Sequence, residues 1–337
     1  MDLIVEGHGV FLGKHQGRLR ISQNGKTLQE LAIMHIQQVF IVANGVSISS
    51  DVFQICAEEG IPIHFIDTMD RPTASVYAEG LIGTVLTRRA QLSAYEDTRG
   101  IILAKAFVAG KIQNQRNLIK YLAKNRRESE PDLYESLQRI AQSMQGFEAE
   151  LDTISGERIY EIRDYILSVE GRSSSAYWGA VGQLLPKELN WPGRITRGAG
   201  DIFNVMLNYG YGVLYSQIER SLILAGLDPY GGFLHADRPG RVSLVMDMIE
   251  EFRQTVVDRT MIGLANRGMT PEFLSDHTLE ASSRKRLAEK ILERMESSET
   301  YEGKRQAIRC ITQSQARHLA TYVRGEREAY TPFTAGW

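Results

Sequence analysis

The sequence predicts an α+β protein in two parts: a small N-terminal antiparallel β domain, sandwich-like, and a larger all-α domain after it. Three observations carry this. The chain has 337 residues, enough for two cores at roughly 150 residues per domain. Up to about residue 83 the apolar residues come in short runs broken by turn residues; beyond it they recur every 3.6 residues as far as about residue 326. The alternating run Arg18-Leu19-Arg20-Ile21 is followed by Asn24-Gly25, the pair that favours a two-residue hairpin turn.

In order along the chain, Leu3-Ile4-Val5, Gly9 to Gly13, Arg18 to Ile21 and Gln38 to Val42 read as strands. A short helix over Ser50 to Glu59, capped by Ser49 or Ser50 and ended by Gly60, interrupts them. A strand over Ile61 to Ile66, a polar turn over Asp67 to Pro72 and a strand over Thr73 to Ala78 complete the β part. Helices are expected over 99–127, 131–153, 157–184, 201–225, 243–266, 284–298 and 301–324, with Gly226 and Asp228-Pro229 stopping the fourth. The domains are therefore 1–83, serving dimerisation, and 84–326, helical and catalytic, with a boundary near Glu79 to Thr84. Residues 327–337 read as a flexible tail that orders only against a partner.

Composition excludes several classes. With 43% hydrophobic and 24% charged residues and a net charge of −2, the chain is not disordered. No apolar run approaches the ~20 residues that span a bilayer, and no basic segment leads an apolar one at the N-terminus. A cytoplasmic protein without a membrane partner is expected. Cys56 and Cys310 lie far apart with no metal-ligand spacing, which argues against a disulfide framework and a zinc finger.

Charge is uneven. Residues 1–83 net −4, whereas 84–128 hold ten basic and three acidic residues, a net of +7. On one helix Lys105, Arg116, Lys120, Lys124 and Arg127 fall on or near one face, either as a phosphate-binding stripe or as an ordinary solvated surface.

Three clusters can carry chemistry. Glu170 lies beside Ile166, Ser174 and Tyr177 on a helix face that is at least half apolar, so it needs a partner: Arg172, Arg163 or a metal ion. Residues Gly231 to Arg241 form an interhelical loop presenting His235, Asp237, Arg238 and Arg241. On the next helix, with Ser243 as its cap, Asp247 and Glu250 are three apart and can act on one ion. The stripe Asp247, Glu250, Glu251, Gln254 and Asp258 also fits a solvated face. Carboxylate, imidazole and carboxylate from separate elements suit Mn²⁺ or Mg²⁺, the equipment of phosphoryl transfer.

The runs Gly226 to His235, Asp237 to Leu244, Asp247 to Arg253 and Val257-Asp258-Arg259 resemble the signature of the CRISPR-associated spacer-acquisition integrases. Asn204 with Leu207 to Tyr211, and Glu170-Gly171 with Tyr177-Trp178, resemble motifs of the same family, in the same order. Ser173, Ser174 and Gln254 depart from it, standing where small apolar residues and a proline are common. The resemblance implies that Glu170, His235 and Glu250 ligate Mn²⁺ or Mg²⁺, with Asp247 as a further acidic catalytic group. It also implies a homodimer that binds double-stranded DNA and a small ferredoxin-like CRISPR-associated partner. Its reaction joins the 3′ ends of a short foreign duplex to a CRISPR repeat by transesterification, with associated endonuclease activity. Two rivals remain: a phosphohydrolase of small nucleotides, which has no use for the +7 segment, and a non-catalytic assembly subunit, which has no use for the three ligands.

Overall fold

The computed structural model describes residues 2–67, 72–77, 85–269, 271–272 and 279–337. The expected boundary at 79–84 and most of the turn at 67–72 lie outside them.

The β part holds two four-stranded sheets. In one, β2 (Val10–His15), β3 (Arg18–Gln23) and β4 (Lys26–Ala32) run antiparallel, and β6 (Ser47–Ile48) lies parallel to β2. Both of its hairpins turn on two residues at positive φ, Gln16-Gly17 at 47° and 74° and Asn24-Gly25 at 50° and 76°, so the expected hairpin is present. The other sheet corrects the antiparallel expectation. Here β1 (Asp2–Val5), β5 (Gln38–Ile41) and β7 (Ile63–Ile66) pair parallel, and only β8 (Pro72–Val76) is antiparallel. A period of two reports which residues share a face but not strand direction, and α1 (Ser50–Glu58) supplies the crossover that parallel pairing needs. Between the sheets lie Leu3, Val5, Leu12, Leu19, Ile21, Val39, Ile41 and Ile63, joined by Val52 and Cys56 of α1.

Strand β5 is buried on both faces, as parallel strands are. Its Val39 and Ile41 face the β core, whereas Phe40 belongs to the core of the helical part. The buried amides of Gln38 and Gln217 exchange hydrogen bonds of 3.0 and 3.1 Å across that junction.

The helical part comprises α2 (Val85–Ala94), α3 (Thr98–Ala123), α4 (Pro131–Thr153), α5 (Ile159–Leu184), α6 (Ile202–Leu224), α7 (Ser243–Met248), α8 (Arg259–Asn266), α9 (Ala281–Glu296) and α10 (Ile308–Val323). Caps fit the sequence: Asp97 accepts from the Arg99 amide, Asp201 from the Asn204 amide, and Gly226 at φ 82° stops α6.

Three expectations fail. The helix over 243–266 is interrupted by a 3-10 turn at Ile249–Glu251 and a π-helical turn at Gln254–Asp258, and Ser243 begins α7 instead of capping it. Changes of winding re-aim side chains, and here successive carboxylates must reach different partners. The helix over 301–324 begins only at Ile308, because β9 (Ser298–Tyr301) and β10 (Lys304–Ala307) form a hairpin on Glu302-Gly303, both at positive φ. Finally, the tail is packed on its own chain, with Tyr330, Phe333 and Ala335 buried. Tyr330 Oη and the Phe333 amide donate to Glu251 at 2.5 and 2.8 Å, and Asn114 of α3 bonds both the Phe333 carbonyl and the Ala335 amide at 2.8 Å. Phe333 stacks on Phe252 with ring centroids 5.2 Å apart. A Cβ on Gly110 of α3 would stand 2.7 Å from Pro332, so the close crossing requires glycine there.

Burial raises the Glu251 carboxyl to about 7 against the hydrogen bonds of Tyr330, Phe333 and Gln315. Between its ordinary value of 4.5 and about 7 the folded chain keeps a proton that the unfolded chain has lost. Stability should therefore fall as pH rises through that window, by roughly 3 kcal/mol at 1.36 kcal/mol per pH unit, and flatten above it. Urea unfolding of Glu251→Gln, whose amide can donate to the Tyr330 oxygen, should lose the slope between about pH 6 and 7 and weaken it below, where Asp258, raised to about 6, still contributes; an unchanged slope refutes the assignment.

Candidate active site

Three elements converge below α3. Lys111 points from α3 into the angle between α5 and the 249–251 turn; it is buried, with its ammonium on Glu170 Oε1 and 2.9 Å from Glu250 Oε2. Ser174, one turn on from Glu170, donates to the same Oε1 at 2.9 Å. Neither arginine expected to pair Glu170 does so. Arg172 is bidentate to Glu150, and Arg163 bonds the Tyr95 hydroxyl at 2.7 Å and the Phe233 carbonyl. Burial lowers the ammonium pKa of Lys111, but Glu250 and Glu170 outweigh it and hold the group above its ordinary value.

The loop after α6 is pinned from two sides. The side-chain amide of Gln91 in α2 bonds the carbonyls of Asp228 and Gly231 and the Asp228 amide, all at 2.7–2.8 Å. Asp247, fully buried on α7, accepts the amides of Phe233, Leu234 and His235 at 2.6, 3.0 and 2.9 Å, and His235 Nδ1 lies 2.6 Å from its Oδ1. With Nδ1 donating there, the lone pair of the neutral imidazole sits on Nε2. Only glycine fits at 232, where a Cβ would stand 2.6 Å from Ser243 Cβ. Asp247 is thus placed as the residue that positions His235, its oxygens committed to the loop.

Glu250 is buried too, which raises its carboxyl, but Arg253 and Lys111 overcome this and hold it at about 2. Arg253 Nε lies 3.4 Å from Glu250 Oε1, and its guanidinium stacks 4.7 Å from the Tyr211 ring. Arg194 lies over both that ring and Trp178. Tyr211 and Tyr177 donate to buried Asp258, whose carboxyl burial raises to about 6. Asp247, Glu250, Glu251, Gln254 and Asp258 are all buried, so the solvated-face reading of that stripe is overturned.

Glu170 and Glu250 are brought to one ammonium, and His235 is held nearby on the pinned loop. Among the described residues no three His, Cys, Asp or Glu side chains close round a single point, because Lys111 stands between the two glutamates. The donor chemistry nevertheless fits a hard divalent cation: two carboxylates that already face one cationic position, that of the Lys111 ammonium, and an imidazole with a free lone pair. Lys111, Arg253 and Ser174 belong to this site although none was given a role in it from sequence. The signal was there for Lys111, which interrupts the apolar stripe Phe107, Val108, Ile112 and Leu118.

The basic stripe is only partly free. Lys105 donates to the Asp152 and Ile154 carbonyls, and Arg116 pairs with Glu148 at 2.8 Å, leaving Lys120, Lys124 and Arg127 exposed. On the loop Arg238 is exposed and Arg241 half-buried, its Nε on Met246 Sδ at 3.1 Å.

Comparison with known proteins locates this architecture. A family model described as CRISPR associated protein Cas1 matches residues 3–297. CRISPR-associated endonuclease Cas1 1 of Archaeoglobus fulgidus is 36% identical over the full length of both chains. Among solved structures, a casposase bound to its integration product superposes with a TM-score of 0.83 at 22% identity, covering 98% of this chain and 92% of that one. A chain of a Cas6-RT-Cas1–Cas2 complex superposes at 0.79 and 19% identity, covering 99% of this chain and 36% of that one. The α+β layout, the ordered run of motifs and a full-length relative agree, and the chain belongs to the CRISPR-associated protein Cas1 family.

Proposed function

We propose that this protein is a divalent-metal-dependent DNA endonuclease and integrase that joins the 3′ ends of a short foreign duplex to a CRISPR repeat. The observation that carries it is the convergence of Glu170 and Glu250 on one cationic position beside an imidazole that Asp247 orients. Support comes from relatives named endonucleases, those of Archaeoglobus fulgidus and Korarchaeum cryptofilum among them, and from the shared fold of a casposase bound to an integration product. In the reaction the 3′-oxygen of the incoming strand bonds to a repeat phosphorus and gives up its proton. The phosphorus releases the 3′-oxygen of the neighbouring nucleotide, which takes up a proton.

Glu170, Glu250 and His235 Nε2 would hold Mn²⁺ or Mg²⁺. What such an ion supplies when bound is neutralisation of phosphate charge and a lower pKa for the attacking hydroxyl. Glu250 offers oxygens that carry no proton at neutral pH, because its cationic neighbours keep it ionised. Asp247 holds the imidazole tautomer and ring plane, and Arg238 and Arg241 place positive charge on the same loop for DNA phosphates. Exposed Lys120, Lys124 and Arg127 extend that charge along the end of α3.

Strand transfer of a labelled duplex into a repeat-bearing plasmid should require Mn²⁺ or Mg²⁺ and be lost in Glu170→Ala, His235→Ala and Glu250→Gln. Duplex binding should persist in all three, because phosphate contacts dominate affinity. Asp247→Asn should lower joining about 10–100-fold without abolishing it, the range for a residue that orients a ligand. Full joining by Glu170→Ala would refute the assignment.

Assembly completes the proposal: a homodimer through the β domain, bound to a small ferredoxin-like partner; a solved complex named for Cas1 and Cas2 supports a partner of the Cas2 kind. Phe11, Leu28 and Met34 are large apolar side chains left exposed in the β part, the kind of surface that interfaces cover. Sedimentation of Leu28→Asp/Met34→Asp should give a monomer where the unaltered chain gives a dimer; a dimeric variant would move the interface elsewhere.

A further inference from the structure

The two glutamates already hold a cation. Lys111 Nζ bonds Glu170 Oε1 and lies 2.9 Å from Glu250 Oε2, and Arg253 Nε lies 3.4 Å from the other oxygen of Glu250. Lys111 cannot be regarded as a surface charge that wandered in. It projects from the middle of α3 in a stripe with Phe107, Val108, Ile112 and Leu118, and α3 packs against both α5 and the 249–251 turn. Two carboxylates and two cations leave the cluster neutral. A divalent ion added to that cluster would leave an excess of two positive charges in a largely desolvated place, where charge imbalance is costly. The ion also needs the same oxygens that face Nζ.

We propose that Lys111 is a built-in competitor for the metal: its ammonium and the divalent cation exclude each other from the Glu170 and Glu250 carboxylates, so that Lys111 sets how tightly the ion binds. This rests on the reading that those two glutamates hold the ion. The lysine keeps the carboxylates drawn together and paired when no ion is bound, and its removal from between them accompanies ion binding. The metal affinity of the site is then lower than its oxygens alone would give, and the fold does not depend on the ion for pairing its buried acids.

Mn²⁺ binding to the full chain, followed at fixed pH and ionic strength by the electron paramagnetic resonance of free Mn²⁺, separates the outcomes. Lys111→Met and Lys111→Gln should each bind Mn²⁺ at least about tenfold more tightly than the unaltered chain, since a unit charge within hydrogen-bond distance of the ligands has gone. Glu170→Gln should lose most of the binding. Equal or weaker binding by both lysine variants, with binding lost in Glu170→Gln, would overturn the competition while leaving the metal site standing. Binding indifferent to Glu170→Gln would overturn the metal reading and this proposal with it. Should neither lysine variant fold, the unaltered chain still answers. The ¹⁵Nζ resonance of Lys111, identified by its absence in Lys111→Arg, should shift or vanish on titration with Mg²⁺, and a resonance unmoved at saturation would overturn the proposal.

Discussion

Four carboxylates are buried within the twelve residues from Asp247 to Asp258, and most of the helical part is arranged to satisfy them. A buried carboxylate without donors or a cation costs several kcal/mol, so each one commits another element to stand beside it. Asp247 commits the loop after α6, Glu250 commits α3 through Lys111, and Glu251 commits Gln315 of α10 and the C-terminal strap. Asp258 commits α5 and α6 through Tyr177 and Tyr211. A uniform α-helix cannot aim neighbouring acids in four directions, which is why the winding tightens at 249–251 and widens at 254–258.

The same demand explains what could and could not be seen in the sequence. The two-part layout, the Asn24-Gly25 hairpin and the stop at Gly226 are local, and local chemistry suffices for them. The acidic stripe has the spacing of a solvated face, and its partners lie as far off as about eighty residues, for Tyr330 and Phe333, and about 140, for Lys111, beyond any periodicity. The C-terminal segment resembles a loose end because its order comes from Asn114, Asn117 and Glu251, none of them near it in sequence. Glu170, His235 and Glu250 are singled out by the motif runs around them, and the structure brings the two glutamates to one ammonium and ties His235 to Asp247. Lys111 was obscured by the basic company it keeps, since net charge does not say which lysine turns inward.

Among the described residues the β part meets the helices chiefly through the sheet that holds β5, β7 and β8. Phe40 and the Gln38–Gln217 amide pair tie β5 to α6, and His64, bonded to Ser75, which donates to Glu219, adds a polar tie beside them. The hairpin sheet stands on the far side of the β core, with its own outward side chains, so the proposed assembly surface and the proposed site belong to different layers of the molecule. Substitutions on one need not disturb the other.

The strap across α3 bears on the order in which the molecule is finished. A chain grows from its N-terminus, so the acidic segment leaves the ribosome well before Tyr330, Phe333 and Ala335 do. Until they arrive Glu251 lacks two of its donors, and Asn114 lacks the backbone that holds it against the turn. The turn that carries Glu250 and Glu251 therefore has its full set of partners only once the last residues of the chain are in place.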